Sequence, residues 1–341
     1  MVKVLLDGGA DIEHNERYCA LQHAVACHRL DMVKLMVEHG ADVARVDVRE
    51  VFDTYEPGLI DYFIEQGADM ETDNPLAYAF CERIYPALGV YKRYKDRFPC
   101  FIKQAEIALR HHCDKWNMKW VSLMLWLGAD PYARGVSDPD ESDDIDAPHD
   151  HWCAIDHAIW SGHPEILDFK RVGYRPQHPD AVRVLRFASG HGDVVAVEKL
   201  LSHGYRPNDR PDGTSSLISG ELMRPTWYCQ KVYLGHNRFE SQIIPVHVFE
   251  KLKVLTMLLK SGARWRPVDR TEITEMRKSL KMLGPDISAE FVWLMVKYQA
   301  CERRVMEQLF SPEGIRIHVY KHIGRIVELR ERLPEVLPYG S

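Results

Sequence analysis

Most of the short patterns from which a chemistry can be read are missing from these 341 residues. There is no Gly-rich phosphate loop running into Lys-Ser or Lys-Thr, no HExxH helix and no GxSxG elbow. Gly190-His191-Gly192 is too short for a dinucleotide fingerprint. With those motifs gone the chain reads as non-catalytic, and no cofactor is expected. No apolar run reaches the roughly 18 residues of a membrane span, and the first residues lack a signal-peptide pattern, so the expectation is a cytoplasmic protein without a membrane partner. The eight cysteines, at 19, 27, 81, 100, 113, 153, 229 and 301, include no CxxC pair and read as reduced, mostly buried thiols. A basic excess is missing too. The formal charge is −6, but residues 137–150 hold seven acids and no Lys or Arg, leaving +1 on the rest. A body this close to neutral gives nucleic acid no global attraction.

What is present is core-forming material: 45% of the residues are hydrophobic and 28% charged, which places the chain outside the disordered class. The stretch with the clearest pattern is residues 19–43, CALQHAVACHRLDMVKLMVEHGADV. Leu21, Ala24 and Val25 make one apolar stripe on a short helix, and the alanines let a second helix approach closely. Met32, Val33, Leu35, Met36 and Val37 form a denser patch, as on a helix covered from more than one side. Gly40 stands where that helix must end, and Asp42 is placed to bond backbone in the following turn.

This stretch resembles an ankyrin repeat: CALQHAVA stands where the family has TPLHLAAR, MVKLMV where it has VVKLLL, and Gly40-Ala41-Asp42-Val43 closes the second helix. The resemblance implies an all-α solenoid of stacked helix pairs, since one pair cannot cover its own apolar face. Helix-ending glycines recur at 9, 40, 67, 128, 173, 204 and 262, with spacings of 31, 27, 61, 45, 31 and 58. Set against a family period near 33, the long gaps are expected to hold insertions, at about 82–116, 134–150 and 220–249. In that reading Asn74 to Phe80 is the first helix of a fourth unit and Trp120 to Leu125 its second. A third unit, with its second helix at 59–64, has a short and poor first helix at 48–55. The array is expected over 1–268, with a divergent helical cap over 269–341 in which Ser288 caps a helix. Gly173-Tyr174-Arg175-Pro176 and Gly204-Tyr205-Arg206-Pro207 echo each other 31 residues apart, an internal sign of duplication. The first unit begins in its second helix, so Val2, Leu5 and Leu6 lack a covering layer; further chain, a partner or a second copy of the chain is expected to cover that end.

Such arrays implicitly bind proteins, and the resemblance places contacts at the turn tips and exposed ends of the first helices on the concave side. Carried over by position, the candidates are Ala26 and Cys27, Trp160 and Ser161, and Gly190 and His191. Trp160 is the preferred anchor, because large aromatics dominate binding energies. The identity of the protein partner is not legible. A second candidate, for nucleic acid, is 91–103, YKRYKDRFPCFIK, in which Tyr91, Arg93 and Arg97 join further bases and rings. Its alternative is an amphipathic helix with the basic residues solvated and Tyr91, Tyr94, Phe98 and Phe101 docked inward, and that alternative is preferred. A third reading is an enzyme with its site among the insertions. Cys153 and His157 share a helix face beside His149, His151 and His163, yet they repeat the positions of Cys19 and His23, which favours packing over metal binding. The acidic loop 137–150 lacks the glycine and terminal glutamate of a calcium loop and reads as a solvated linker.

Overall fold

A computed structural model describes residues 2–12, 20–141, 152–173, 175, 178, 181–209, 217–218, 229–233, 239–243 and 245–310. It divides into two compact units, 1–171 and 172–341. The described residues are helical apart from one hairpin, and the helices of both units end in one recurring device. A residue with positive φ follows the last turn, its amide bonding back to one carbonyl and the next amide reaching one turn further, so two otherwise unsatisfied carbonyls are used. At Gly40 the bonds are Gly40 N to Val37 O and Ala41 N to Met36 O. Six of the seven expected glycine turns have this geometry, with φ between 83° and 105°. Gly173 is the exception. The residues before it form 3-10 turns, Pro164–Asp168 and Lys170–Val172, in place of a second α-helix.

In the first unit α1 spans Val2–Asp7, α2 Ala20–Ala26, α3 Leu30–Glu38, α4 Val48–Asp53 and α5 Pro57–Glu65. They are followed by α6 Pro75–Cys81, α7 Pro86–Tyr94, α8 Cys100–Asp114, α9 Met118–Leu127 and α10 Ala154–Trp160. Consecutive helices pair as α2 with α3, α4 with α5, α6 with α7 and α8 with α9, and α10 packs on the 3-10 turn after it. The first members lie side by side in chain order, α2 on α4, α4 on α6, α6 on α8 and α8 on α10. Second members are linked in the same order: Lys34 of α3 sits over the Tyr62 ring of α5 at 5.6 Å, Asp61 of α5 binds Arg93 of α7, and Tyr91 of α7 donates to Leu127 O of α9. On α1 no residue is buried, and Leu5 is exposed.

This pairing reassigns 82–116. The stretch expected as an insertion supplies α7 and α8, the second helix of one pair and the first of the next, so the 61-residue gap from Gly67 to Gly128 holds two pairs. The boundary between them was hidden because α7 runs into α8 without a glycine turn. Lys95 N, Arg97 N and Phe98 N bond the carbonyls of Tyr91 and Tyr94 in a tight helical connection, and Pro99 leads into α8. At 48–53 a helix does form despite its shortness, capped by the Asp47 carboxylate on Arg49 N, with Val48, Val51 and Phe52 buried.

The second unit contains α11 Ala181–His191, α12 Val194–Ser202, α13 Pro245–Lys260, α14 Arg270–Leu283, α15 Pro285–Lys297 and α16 Arg303–Leu309. α11 packs on α12, both pack on α13, α13 on α15, and α14 on α15 and α16. Their closing turns are bonded in series. The Asn208 amide donates to Gly262 O and accepts from Arg264 N, and Trp265 N donates to Ala300 O. The Ser288 hydroxyl bonds Gly284 O and Leu280 O, so its role is to tie α15 back to α14. One addition to the expected helical class falls in 220–249. Strands β1 Cys229–Tyr233 and β2 Phe239–Ile243 pair antiparallel, with Cys229 opposite Ile243 and Tyr233 opposite Phe239.

Candidate functional site: helix ends and the first-helix face

Each first helix of the first unit ends in a left-handed residue before its partner begins, and four of those residues are not glycine: His28 (φ 57°), Tyr55 (57°), Arg83 (64°) and Trp116 (50°). A bulky side chain in this region is uncommon because its Cβ crowds the carbonyl. Only the fifth turn of the unit uses glycine, Gly162. These side chains and their neighbours stand at the turn tips. Tyr55 is 54% exposed and Tyr85 48%, with Lys119 Nζ 4.9 Å above the Tyr85 ring. Trp116 stacks on His163 of the next turn, ring centroids 4.3 Å apart and planes 4° from parallel. Asp114 accepts from the Ser161 hydroxyl at 3.2 Å across the same two turns. Trp160 is 56% exposed and leans on Trp152 at 5.3 Å.

Of the other residues expected to bind, Ala26 and Cys27 are exposed, Cys27 Sγ lying 3.8 Å from His23 Nε2. Gly190 is buried and offers no surface. His191 is half-buried against Phe187, ring centroids 4.4 Å apart, and burial lowers its pKa to about 4 with help from Lys251, so it stays neutral at pH 7.

The rings of 91–103 point inward. Tyr91 and Phe101 are buried and stacked at 6.3 Å, and Phe98 stacks on Phe101 at 5.1 Å. This orientation buries the apolar face of the segment and leaves its charges in water. Its bases stay at the surface, Arg93 on Asp61, Lys92 over the Trp126 ring and Arg97 over Phe98. Tyr91 and Phe101 are therefore unavailable for base stacking, and Arg93 is already engaged by a carboxylate.

Cys153 and His157 are buried, and the Asp156 carboxylate accepts from Cys153 N at 3.0 Å, capping α10. His157 meets the edge of Trp152, and His163 belongs to the Trp116 stack. His149 and His151 lie outside the described residues, as does Cys19. Among the described residues no three His, Cys, Asp or Glu groups come together as metal ligands.

Sequence reasoning missed a set of polar residues on α8. Gln104, 1% exposed, accepts from Leu76 N and Ala77 N at the start of α6 and donates to Met70 O at 2.7 Å. His112 donates from Nε2 to Phe80 O at 2.9 Å; burial lowers its pKa to about 4, so it too is neutral. Arg110, buried, donates to Val136 O at 2.7 Å and Ala133 O at 3.0 Å. The available signal was that Gln104 and His112 fall on the stripe of Phe101, Ala105 and Ala108, where a polar residue must find a partner. Those bonds also explain where 133–141 lies. It crosses the first-helix face, with Val136 buried between Ala77 of α6 and Ile107 of α8, Pro139 buried, and Asp140 paired with Arg49 of α4.

The ankyrin repeat family pattern matches residues 16–48, a span that contains α2 and α3. No curated protein matches the chain.

Proposed function

From an ankyrin repeat at 16–48, followed by helix pairs packed in chain order, we propose that this is a non-catalytic scaffold that binds a protein partner. Ankyrin repeats generally mediate contacts between proteins, and no helix among the described residues is long and apolar enough to cross a membrane. In this reading the pairs form a solenoid whose concave side is the face of the first helices, and the partner lies along that face and the turn tips. The expected extent, an array over 1–268 with a helical cap over 269–341, is carried as part of the same proposal.

The observation that carries the proposal is the run of large side chains held at left-handed tips. Glycine would fit each of these positions with less strain, and strain retained in successive turns is a mark of selection for what the side chain does outside the fold. Tyr55 and Trp116 at such positions, with Tyr85 and Trp160 beside them, supply rigid aromatic area of the kind that dominates protein interfaces. Nucleic-acid binding through 91–103 is the weaker reading, because the rings it requires are in the core.

The test is affinity purification from the native source, with mass spectrometry, using wild type, Trp160→Ala and a Tyr55→Ser/Tyr85→Ser double variant in parallel. A partner retained by wild type in high salt and lost from the tip variants supports the proposal. Equal recovery of every protein by all three removes the tips as the binding surface.

A further inference from the structure

The face of α4, α6 and α8, which the proposed function assigns to a partner, already carries a ligand, and the ligand is part of the same chain. We propose that this face is a recognition groove for an extended acidic segment of a protein partner, and that residues 133–141, ARGVSDPDE, hold the groove in that partner's absence. The inference rests on the reading of the chain as a binding scaffold and specifies the chemistry of its site.

Three features of the contact are those of recognition. First, the backbone of the segment is held by a side chain of the groove: the Arg110 guanidinium donates to Ala133 O and Val136 O, fixing direction and register. Gly135 passes so close that a Cβ built on it, at φ 153°, would lie 2.8 Å from an Arg110 nitrogen. Second, side chains enter at intervals. Val136 fills a hollow between Ala77 and Ile107, and Pro139 is buried three residues on. Third, the charges are complementary. Asp140 pairs with Arg49, whose guanidinium also lies 5.1 Å over the Tyr78 ring and donates to Asp73 O. The Cys81 thiol is pushed to a higher pKa by burial, and further by Asp138, Glu82 and Asp140.

Beyond the backbone bridge that ties Arg134 and Gly135 to Cys153 and Trp152, the contact is loosely covered. Apart from Val136 and Pro139 the segment from Ala133 to Glu141 is half-buried or exposed, and the Asp140 side chain remains 68% exposed. A tethered occupant of this kind acts at an effective concentration in the millimolar range, so a partner segment of the same pattern must bind more tightly or arrive at a second site to displace it. The pattern it needs is a β-branched residue, a proline three positions on, and a carboxylate next to it, with further acids around.

The test uses the full chain and a fluorescein-labelled synthetic peptide of residues 133–141, read by fluorescence anisotropy. Val136→Asp in the chain should unseat the tethered segment, so that the peptide binds at least tenfold more tightly than to wild type. Adding Arg49→Glu to that variant should weaken the peptide at least tenfold. No peptide binding to a Val136→Asp chain that keeps its helical circular dichroism, or binding indifferent to Arg49, overturns the proposal. Should Val136→Asp fail to fold, amide exchange on wild type decides. Exchange at 134–141 much faster than in α8, and faster again with excess unlabelled peptide, supports a displaceable ligand, whereas exchange matching α8 makes the segment core and refutes it. Because the peptide is the only probe, these outcomes are independent of whether a partner is captured through the turn tips.

Discussion

The contact between α2 and α4 and the contact between α6 and α8 both join first helices of successive pairs, and they differ in sequence character. In the first, α2 lies in the stretch that matches a known family, and between the two helices the side-chain hydrogen bonds found are exposed ones, from the Gln22 amide to the Glu50 carboxylate. The second lies outside that match, and Gln104 and His112 bond α8 to the backbone of α6 and the turn before it, out of water. A family signature thus marks where helices and turns fall. At α6 and α8 the packing is reinforced by buried polar bonds that the signature does not record, and a buried hydrogen bond costs far more to break than an exposed one.

The contrast is broken most severely at Gln104. Gln104→Ala leaves two buried amides without partners and Met70 O with only the Cys100 thiol, and the expected loss is about 3–5 kcal/mol. Gln22→Ala, at an exposed site, should cost under about 0.5 kcal/mol. Urea unfolding midpoints of the two variants check the difference. Next in size is Phe101→Ala, which removes a fully buried ring and should cost roughly 3–5 kcal/mol. Arg93→Ser with Arg97→Ser, on the same segment, should stay within about 1 kcal/mol because these bases are exposed. If the arginines mattered more to stability than the phenylalanine, the docked orientation of 91–103 would be refuted.

Smaller effects separate the two kinds of turn. Gly40→Ala forces a Cβ into φ 95° and should cost about 1–2 kcal/mol, whereas Arg83→Gly relieves the same crowding and should stabilise by up to ~1 kcal/mol. Thermal melts of both variants test whether strain is stored at the tips. The pH dependence is graded in the same way. His112 has its pKa lowered to about 4 by burial, so the unfolded chain takes up a proton near 6.5 that the folded chain does not. Its contribution is therefore complete above pH 6.5 and is lost as pH falls from 6.5 towards 4. His191 acts in the same direction. His39 is opposite in sign, raised first by its bond to Asp7 and then by Leu35 O, so what it adds is present below 6.5 and disappears as pH rises through its folded value. His112→Gln, which keeps an N–H for Phe80 O, should reduce the fall in stability below pH 6.5 without abolishing it; an unchanged slope would mean that the His112 ring is not held neutral in the fold.

The limits of legibility follow from these same residues. Gly9, Gly40, Gly67, Gly128, Gly204 and Gly262 were readable because a helix end with positive φ favours one residue type, and that requirement is local. The boundary near 95–99 was not, because a connection that continues as helix needs no glycine and leaves α7 and α8 looking like inserted material. Gly173 misled for the converse reason: its spacing was right, but Pro164 opens a 3-10 turn where a second α-helix was expected. The exposure of Trp160 and Cys27 could be read from position alone, since an exposed helix end is set by the pairing. Tyr91 and Gly190 could not, because burial depends on what packs from other elements. The course of 133–141 over the first-helix face was out of reach altogether, since Arg49 and Asp140 are 91 residues apart in the chain.

The account stands or falls on whether residues 67–128 are two full helix pairs in a packed series. Amide hydrogen exchange by mass spectrometry, resolved to α6, α8 and α9 under mild denaturant, addresses that directly. The prediction is that 101–113 exchanges together with 76–81 and 120–125, in one cooperative opening. Exchange of 101–113 in a separate, lower-energy step, while 76–81 and 120–125 stay protected, would show that α8 is an attached insertion and contradict the account.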